Sequence, residues 1–250
     1  MNNFKTSLRH ITATAALACV SISSQAQISN GGFEFGLTGW TTHGDVSTQG
    51  TAPAGAAKLF LTTAGLDADE LNSAGLLIGP FNASGVAAVE VGTAGGLEQL
   101  NGNAIGAFDA FGFAAYEGSL ARQSFTAQAG DSLTFLWNFG TRETLLDHAF
   151  VVIDGVVTSL SGSSLPSSPG TGNDLFQSGF QSFSRSFTTS GTHTVAFGVV
   201  DLTDFNVRSS LAIDQVQILA VPEAESWALM LTGLAALGFF APRAKRKSQV

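Results

Sequence analysis

Thiols are nearly missing from this chain. Its one cysteine, Cys19, lies in an apolar stretch near the N-terminus, so the rest has no disulfide and no thiolate metal site. Bases are scarce too, at 11 Lys and Arg against 19 Asp and Glu, and six of the 11 sit at the two ends. Between Gln27 and Ala220 five bases (Lys58, Arg122, Arg142, Arg185 and Arg208) face 17 acids, a balance of −12. Such a surface repels phosphate backbones, which excludes nucleic acid as a partner and favours cations. Charged residues make up only 12%, well below the usual quarter, but hydrophobic residues reach 44%, enough to build a core. There are six prolines and 29 glycines, a balance that suits turns. No Gly-x-Ser-x-Gly elbow, His-Glu-x-x-His helix or Gly-x-x-x-x-Gly-Lys phosphate loop occurs, so the chain reads as non-enzymatic.

Long apolar runs are confined to the two ends. At the start, Lys5 and Arg9 precede an apolar stretch from Ile11 to Ile22, followed by Ser24-Gln25-Ala26 with small residues where signal peptidase reads. Residues 1–26 are therefore expected to be a helical signal peptide, removed after Ala26. At the other end, Trp227 to Ala241 is apolar or small apart from Thr232, about 15 residues or ~22 Å as a helix, against a hydrocarbon core of ~30 Å. Arg243, Lys245, Arg246 and Lys247 follow directly, and Trp227 stands where an interfacial aromatic belongs. The pattern predicts a transmembrane helix over 227–241, with those four bases as a cytoplasmic anchor in the basic tail 242–250.

Val221-Pro222-Glu223, then a few polar residues, Trp227-Ala228-Leu229-Met230, a Gly-interrupted apolar run and the Arg/Lys cluster resemble the PEP-CTERM sorting signal of Gram-negative bacteria. The resemblance covers 221–250, with the motif in 221–226. It implies export, a membrane-anchored precursor, exosortase as a partner, and a cell-surface or biofilm-matrix destination. Ala224 stands where the family has its second proline, which puts the rate of processing in doubt.

The interior, 27–220, reads as strand after strand: Lys58 to Thr62, Leu76 to Phe81, Ala104 to Ala115, Leu120 to Ala127, Ser132 to Gly140, His148 to Val157, Phe180 to Thr188, Thr192 to Val200 and Leu211 to Leu219. In "FQSFSRSFTT" Phe183, Arg185 and Phe187 fall on one face and Ser182, Ser184 and Ser186 on the other. "FVVIDGVVTSL" predicts a hairpin turning at Asp154-Gly155, both tolerant of positive φ. "SLSGSSLPSSPGTGND", Ser159 to Asp174, is too polar to pack and is expected to be a surface loop. Short strands, turn residues and no helical stripe predict an all-β, jelly-roll-like β-sandwich ectodomain, flanked by the signal helix and the transmembrane helix.

"NGGFEFGLTGW", Asn30 to Trp40, and "LAIDQVQIL", Leu211 to Leu219, resemble the opening and closing segments of galactose-binding-like and carbohydrate-binding jelly rolls. That resemblance implies a structural Ca²⁺ held by Glu34 of the first strand and Asp214 of the last, together with backbone carbonyls. Oxygen ligands in an acidic shell suit such a hard cation. In Leu211 to Leu219 the alternation puts Asp214 with Ala212, Val216 and Ile218 on the inward face, so that it needs a cation, a neighbouring N–H or Arg208 as a partner.

Other candidates carry bland readings. Asp67 to Glu70 lacks the twelve-residue calcium-loop pattern and reads as an acidic turn, as do Asp201 and Asp204. Trp40 and Trp137 are expected in the core. Tyr116, flanked by Glu117 and Gly118, is the candidate sugar-stacking aromatic. His43, His148 and His193 are scattered and suit hydrogen-bonded strand positions better than a catalytic base. The reading that follows is an exported domain binding extracellular polysaccharide without catalysis. A structural matrix protein with no glycan site, and a hydrolase whose two carboxylates meet only in space, stay open as alternatives.

Overall fold

The computed structural model describes residues 27–67, 70–71, 77–79, 81–142, 144–171, 174–203, 205, 207–221, 228 and 230–235. The expected signal peptide, Pro222, Glu223, Trp227 and the bases Arg243, Lys245, Arg246 and Lys247 lie outside the described residues. Among the described residues no helix is long and apolar enough to cross a membrane.

In chain order the elements are β1 (Thr41–His43), β2 (Asp45–Gln49), β3 (Lys58–Thr62), β4 (Glu70–Leu71), β5 (Leu77–Ile78), β6 (Val89–Glu90), α1 (Leu97–Asn101), β7 (Ala115–Ala127), β8 (Ser132–Thr141), β9 (His148–Ile153), β10 (Val156–Ser159), β11 (Ser168–Pro169), β12 (Phe176–Gln177), β13 (Gln181–Ser186), β14 (Gly191–Leu202) and β15 (Ser209–Leu219). One sheet runs β1-β7-β14-β9-β10, with β6 on β7. The other runs β11-β12-β8-β15-β3-β2, with β13 on β8, and β4-β5 form a separate pair. Both large sheets are antiparallel, so each can bury one face and leave the other free. The chain passes from one sheet to the other at Gly44, which has φ +83° and where a Cβ would lie 2.7 Å from the Gly118 carbonyl. Beside it Ser119 joins the layers, its hydroxyl donating to the Thr62 carbonyl at 2.6 Å and accepting from the Asp45 amide at 2.7 Å.

Alternation along the strands fills the space between the sheets with Leu59 and Leu61 of β3, Phe125 of β7, Phe135 and Trp137 of β8, Phe197 of β14, and Leu211 and Ile213 of β15. Trp40 joins them, its ring 5.3 Å from Phe33 and 5.7 Å from Phe197, so both tryptophans belong to the core. The hairpin turns where expected: Ile153 pairs with Val156 across Asp154 (φ +52°) and Gly155 (φ +80°). Phe183 stacks on Phe135 at 4.7 Å while Ser182, Ser184 and Ser186 face water.

A second apolar cluster lies on the outer face of the β1–β10 sheet. There Leu97 and Phe108 pack on Leu120, Phe150, Val152 and Leu202, with Phe108 and Phe150 4.4 Å apart. Phe150 fits because Gly198 has no Cβ; one would lie 2.4 Å from the ring. The segment that builds this cover departs from expectation in two ways. Ala104 to Ala115 is a chain of turns with a single bridge between Ala110 and Phe113, because Phe111 (φ +56°) and Gly112 (φ +90°) break any extended run. Before it, "LEQLN" forms α1, ended by Gly102 in the left-handed conformation (φ +86°).

Candidate functional site

Two places bring together residues that chemistry can use. The first joins Glu34 and Asp214. Glu34 is not in a strand: Asn30 to Trp40 is a run of turns closed by amide-to-carbonyl bonds such as Phe33 to Asn30 and Gly36 to Phe33, both 3.1 Å. That run docks on a β-bulge in β15, where Gln215 adopts φ +54°, the pairing with β8 slips by one residue, and the Val216 amide donates to the Gly31 carbonyl at 2.9 Å. The bulge also corrects the face of Asp214. Ile213, Val216 and Ile218 point into the core, whereas Asp214 shares the outer face with Ala212, because the extra residue inverts the alternation.

Asp214 is fully buried all the same, since the loop between β2 and β3 closes over it. Its Oδ2 accepts the Ala54 amide at 3.0 Å and its Oδ1 the Gln215 amide at 2.7 Å, while Glu34 Oε1 accepts Ala56 at 2.8 Å and Ala57 at 3.3 Å. Gly55 makes the approach possible, with φ +70° and a missing Cβ that would stand 1.9 Å from Glu34 Oε1. Burial pushes the Asp214 carboxyl above its ordinary value; the two amides oppose this, the Glu34 charge adds to it, and Lys58 opposes it. The pair is thus an oxygen-only donor set whose mutual repulsion a hard cation would relieve, and it fits the calcium chemistry that the resemblance implies. Among the described residues no group of three or more acidic, His or Cys side chains is poised around an ion, so backbone carbonyls would have to complete the shell. Arg208 does not reach Asp214; it is paired with Asp174.

The second place is a cleft of about 570 Å³ on the outer face of the β11–β2 sheet. Its floor is Phe60 of β3, Asn138 of β8, and Ser210 and Ala212 of β15, and its walls carry Gln49, Lys58, Gln177, Phe180 and Arg208. Gln177 Oε1 accepts from Asn138 Nδ2 at 3.0 Å, which fixes both amides. Asp174 enters from the Ser159–Asp174 loop, ion-paired with Arg208 and accepting the Ser210 hydroxyl at 3.0 Å. Burial raises its pKa, against the pull of Arg208, the Ser210 bond and Arg142. Among the described residues that line the cleft, Asp174 is the one carboxylate. A smaller cleft of about 320 Å³ lies between Trp137, Gln181 and residues 160–168 of the same loop. The loop therefore borders both clefts, and Leu160 packs against the core at its root.

The remaining candidates fall elsewhere. Tyr116 is about a third exposed, edge-on to the exposed Phe205 at 4.9 Å, and lines neither cleft. Asp67 is exposed and Asp204 lies outside the described residues, but Asp201 is buried at the end of β14, a strand position where a turn was expected. The three histidines sit in different strands: His43 in β1, His148 in β9 and His193 in β14. Burial lowers the His148 pKa, opposed by the bond from Nδ1 to the Phe108 carbonyl at 3.1 Å, and Nε2 lies 2.9 Å from the Ser159 hydroxyl. His193 joins Asp154 at 2.7 Å and the Thr189 carbonyl at 3.1 Å. Sequence patterning missed Asp45, a buried carboxylate bonded to the Thr62 hydroxyl and to the amides of Ala83 and Ser84; a lone Asp opening a short strand gives no signal of that role.

No family model matches the chain, and no curated protein does. Among solved structures it is similar to a family 61 carbohydrate-binding module, TmCBM61, solved with β-1,4-galactotriose, at 11% identity over 79% of this chain and 100% of that one, with a TM-score of 0.39. It is similar to the K1 cleaved adhesin domain of Lys-gingipain from Porphyromonas gingivalis W83, at 16% identity over 80% and 100% of the two chains and a TM-score of 0.41. A family 4 carbohydrate-binding module matches at 13% identity over 76% and 99%, with a TM-score of 0.33. What each of these proteins binds is a property of that protein.

Proposed function

We propose that this chain is an exported, non-catalytic polysaccharide-binding domain that takes its ligand in the cleft on the outer face of the β11–β2 sheet. One observation carries the reading: side-chain amides from three strands, Gln49, Asn138 and Gln177, converge there with the exposed Phe180. Side-chain amides match the vicinal hydroxyls of a sugar ring, and an aromatic face covers its apolar C–H side. The terminal segments supply the address in this reading. Residues 1–26 direct export, 227–241 hold the precursor in the membrane, and exosortase processes the motif at Val221-Pro222-Glu223, so that the domain reaches the cell surface or the biofilm matrix. Calcium, held by Glu34 and Asp214 with backbone carbonyls, would brace the N-terminal turns against β15 and has no part in ligand chemistry.

Affinity electrophoresis of the purified protein through gels containing a panel of bacterial and plant polysaccharides tests the cleft. Retardation by at least one polysaccharide, weakened by Phe180→Ala and by Asn138→Ala, is the expected result. Mobility unchanged by every polysaccharide would sink the binding reading and leave the structural matrix protein in its place. Retardation that Tyr116→Ala removes and Phe180→Ala does not would move the site to the Tyr116–Phe205 pair.

A further inference from the structure

The five bases between Gln27 and Ala220 are not spread evenly over the domain. Lys58 and Arg208 line the cleft. Arg142 stands at the same end, its guanidinium 4.3 Å above the Phe81 ring that Arg208 approaches at 5.9 Å, and it acts on the cleft's Asp174. The other two do not line the cleft: Arg122, in the opposite sheet, donates to the Leu100 carbonyl of α1, and Arg185 is in β13. Among the described residues the acids near the cleft are Asp174, ion-paired with Arg208 and accepting the Ser210 hydroxyl, and the Glu34–Asp214 pair, whose oxygens face amides of the β2–β3 loop. Lys58 uses two of its three N–H groups on the carbonyls of Gly50 (2.7 Å) and Thr51 (3.2 Å), which fixes the ammonium at the rim and leaves a third donor.

An anionic ligand meets repulsion over a domain whose acids outnumber its bases by 17 to five, and finds three of those five bases around one cleft. Field lines from such a cluster concentrate in a concave site and favour a ligand of opposite sign. We propose that the ligand is an acidic polysaccharide, whose carboxylate or sulfate groups are met by Lys58 with Arg142 and Arg208 behind it, while Gln49, Asn138 and Gln177 bond the ring hydroxyls. This rests on the polysaccharide-binding reading and narrows it to one charge class.

The test uses matched pairs that differ only in charge: polygalacturonate against its fully methyl-esterified form for carboxylate, and dextran sulfate against dextran for sulfate. Affinities of the purified full-length protein are measured by microscale thermophoresis at low and high salt. At least one charged member should bind about ten-fold tighter than its neutral partner, an advantage that shrinks as salt screens it. Lys58→Gln, and separately Gln49→Glu, should each erase most of that advantage, while Arg122→Gln on the opposite sheet leaves it. Gln49 and Lys58 are cross-strand partners in one hairpin, so it is thermal unfolding midpoints unchanged in both variants that exclude a folding defect. Neutral members binding as well as charged ones, or an advantage indifferent to both cleft variants, overturns the charge assignment and leaves polysaccharide binding standing. No binding by any of the four, when the wider panel also gives none, overturns both.

Discussion

The two outer faces of this sandwich have opposite fates. On the β1–β10 sheet the segment around α1 lays Leu97 and Phe108 over Phe150 and Val152, so that face is a second core. On the β11–β2 sheet the described residues build no second apolar cluster: Phe60 is buried with the Arg208 guanidinium 5.8 Å from its ring, and the cleft opens beside it. The sequences of the two faces already differ in kind. Leu120, Phe150, Val152 and Val200 are large and apolar, whereas Lys58, Asn138 and Ser210 are polar, and polar groups keep a sheet face wet. An antiparallel sandwich needs one buried face per sheet; here one sheet buries apolar residues on both faces, and the other carries a polar cleft on its outer face.

Removing the cover should break this contrast most severely. Phe108→Ala deletes a fully buried ring against Phe150 and should lower stability by about 3–5 kcal/mol, read as the shift in a urea unfolding curve. Phe180→Ala on the open face removes a ring that is 39% exposed, so its cost should appear in ligand affinity with little change in the unfolding midpoint. Equal losses of stability from the two would mean that the faces are not different in kind.

A smaller effect tests the pair beside the open face. Burial raises the Asp214 pKa above its ordinary 3.8, so the folded state holds that proton more tightly than the unfolded chain does. The ionised form is the costly one. In chelator, stability measured against Asp214→Asn should therefore rise as pH falls from neutral through the raised value, and level off near 3.8. His148, with its pKa lowered by burial, acts in the opposite sense below 6.5, and the comparison with the Asn variant cancels its contribution. Calcium at a hundred-fold excess over its dissociation constant should add about 2.7 kcal/mol at neutral pH and reverse the slope, because it binds the ionised pair. Melting temperatures with the same pH slope in calcium and in chelator would remove the ion from this site.

Local signals identified the long strands, the Asp154-Gly155 hairpin and the core position of Trp137, through alternation, a turn dipeptide and an apolar neighbourhood, whereas the core position of Trp40 came from the resemblance of the opening segment. Patterning failed where the chain departs from alternation. Ala104 to Ala115 looks extended by its spaced phenylalanines, yet Phe111 and Gly112 turn it back, and its role as a cover depends on Phe150 and Gly198 some 40 and 90 residues away. The cleft was equally hidden. Gln49, Lys58, Asn138, Asp174, Gln177 and Arg208 come from six separate segments that only sheet pairing unites. Glu34 and Asp214 were singled out by resemblance, but the turns that carry one and the bulge that redirects the other left no mark in the alternation.

That bulge gives the smallest and sharpest of these tests. Gln215 holds φ +54° in the middle of β15, a conformation that disfavours any side chain and most of all a β-branched one. Gln215→Val should cost about 1–2 kcal/mol, whereas Gln215→Gly should stay within about 0.5 kcal/mol of the native protein, since relief of the left-handed strain offsets the entropy that glycine loses on folding. The sign matters more than the size. Were Val tolerated as well as Gly, β15 would run straight, Asp214 would turn inward with Val216, and the outer face would lose the carboxylate that meets Glu34. A penalty for Val alone keeps the bulge, and with it the inversion that places Asp214 on the same face as the cleft.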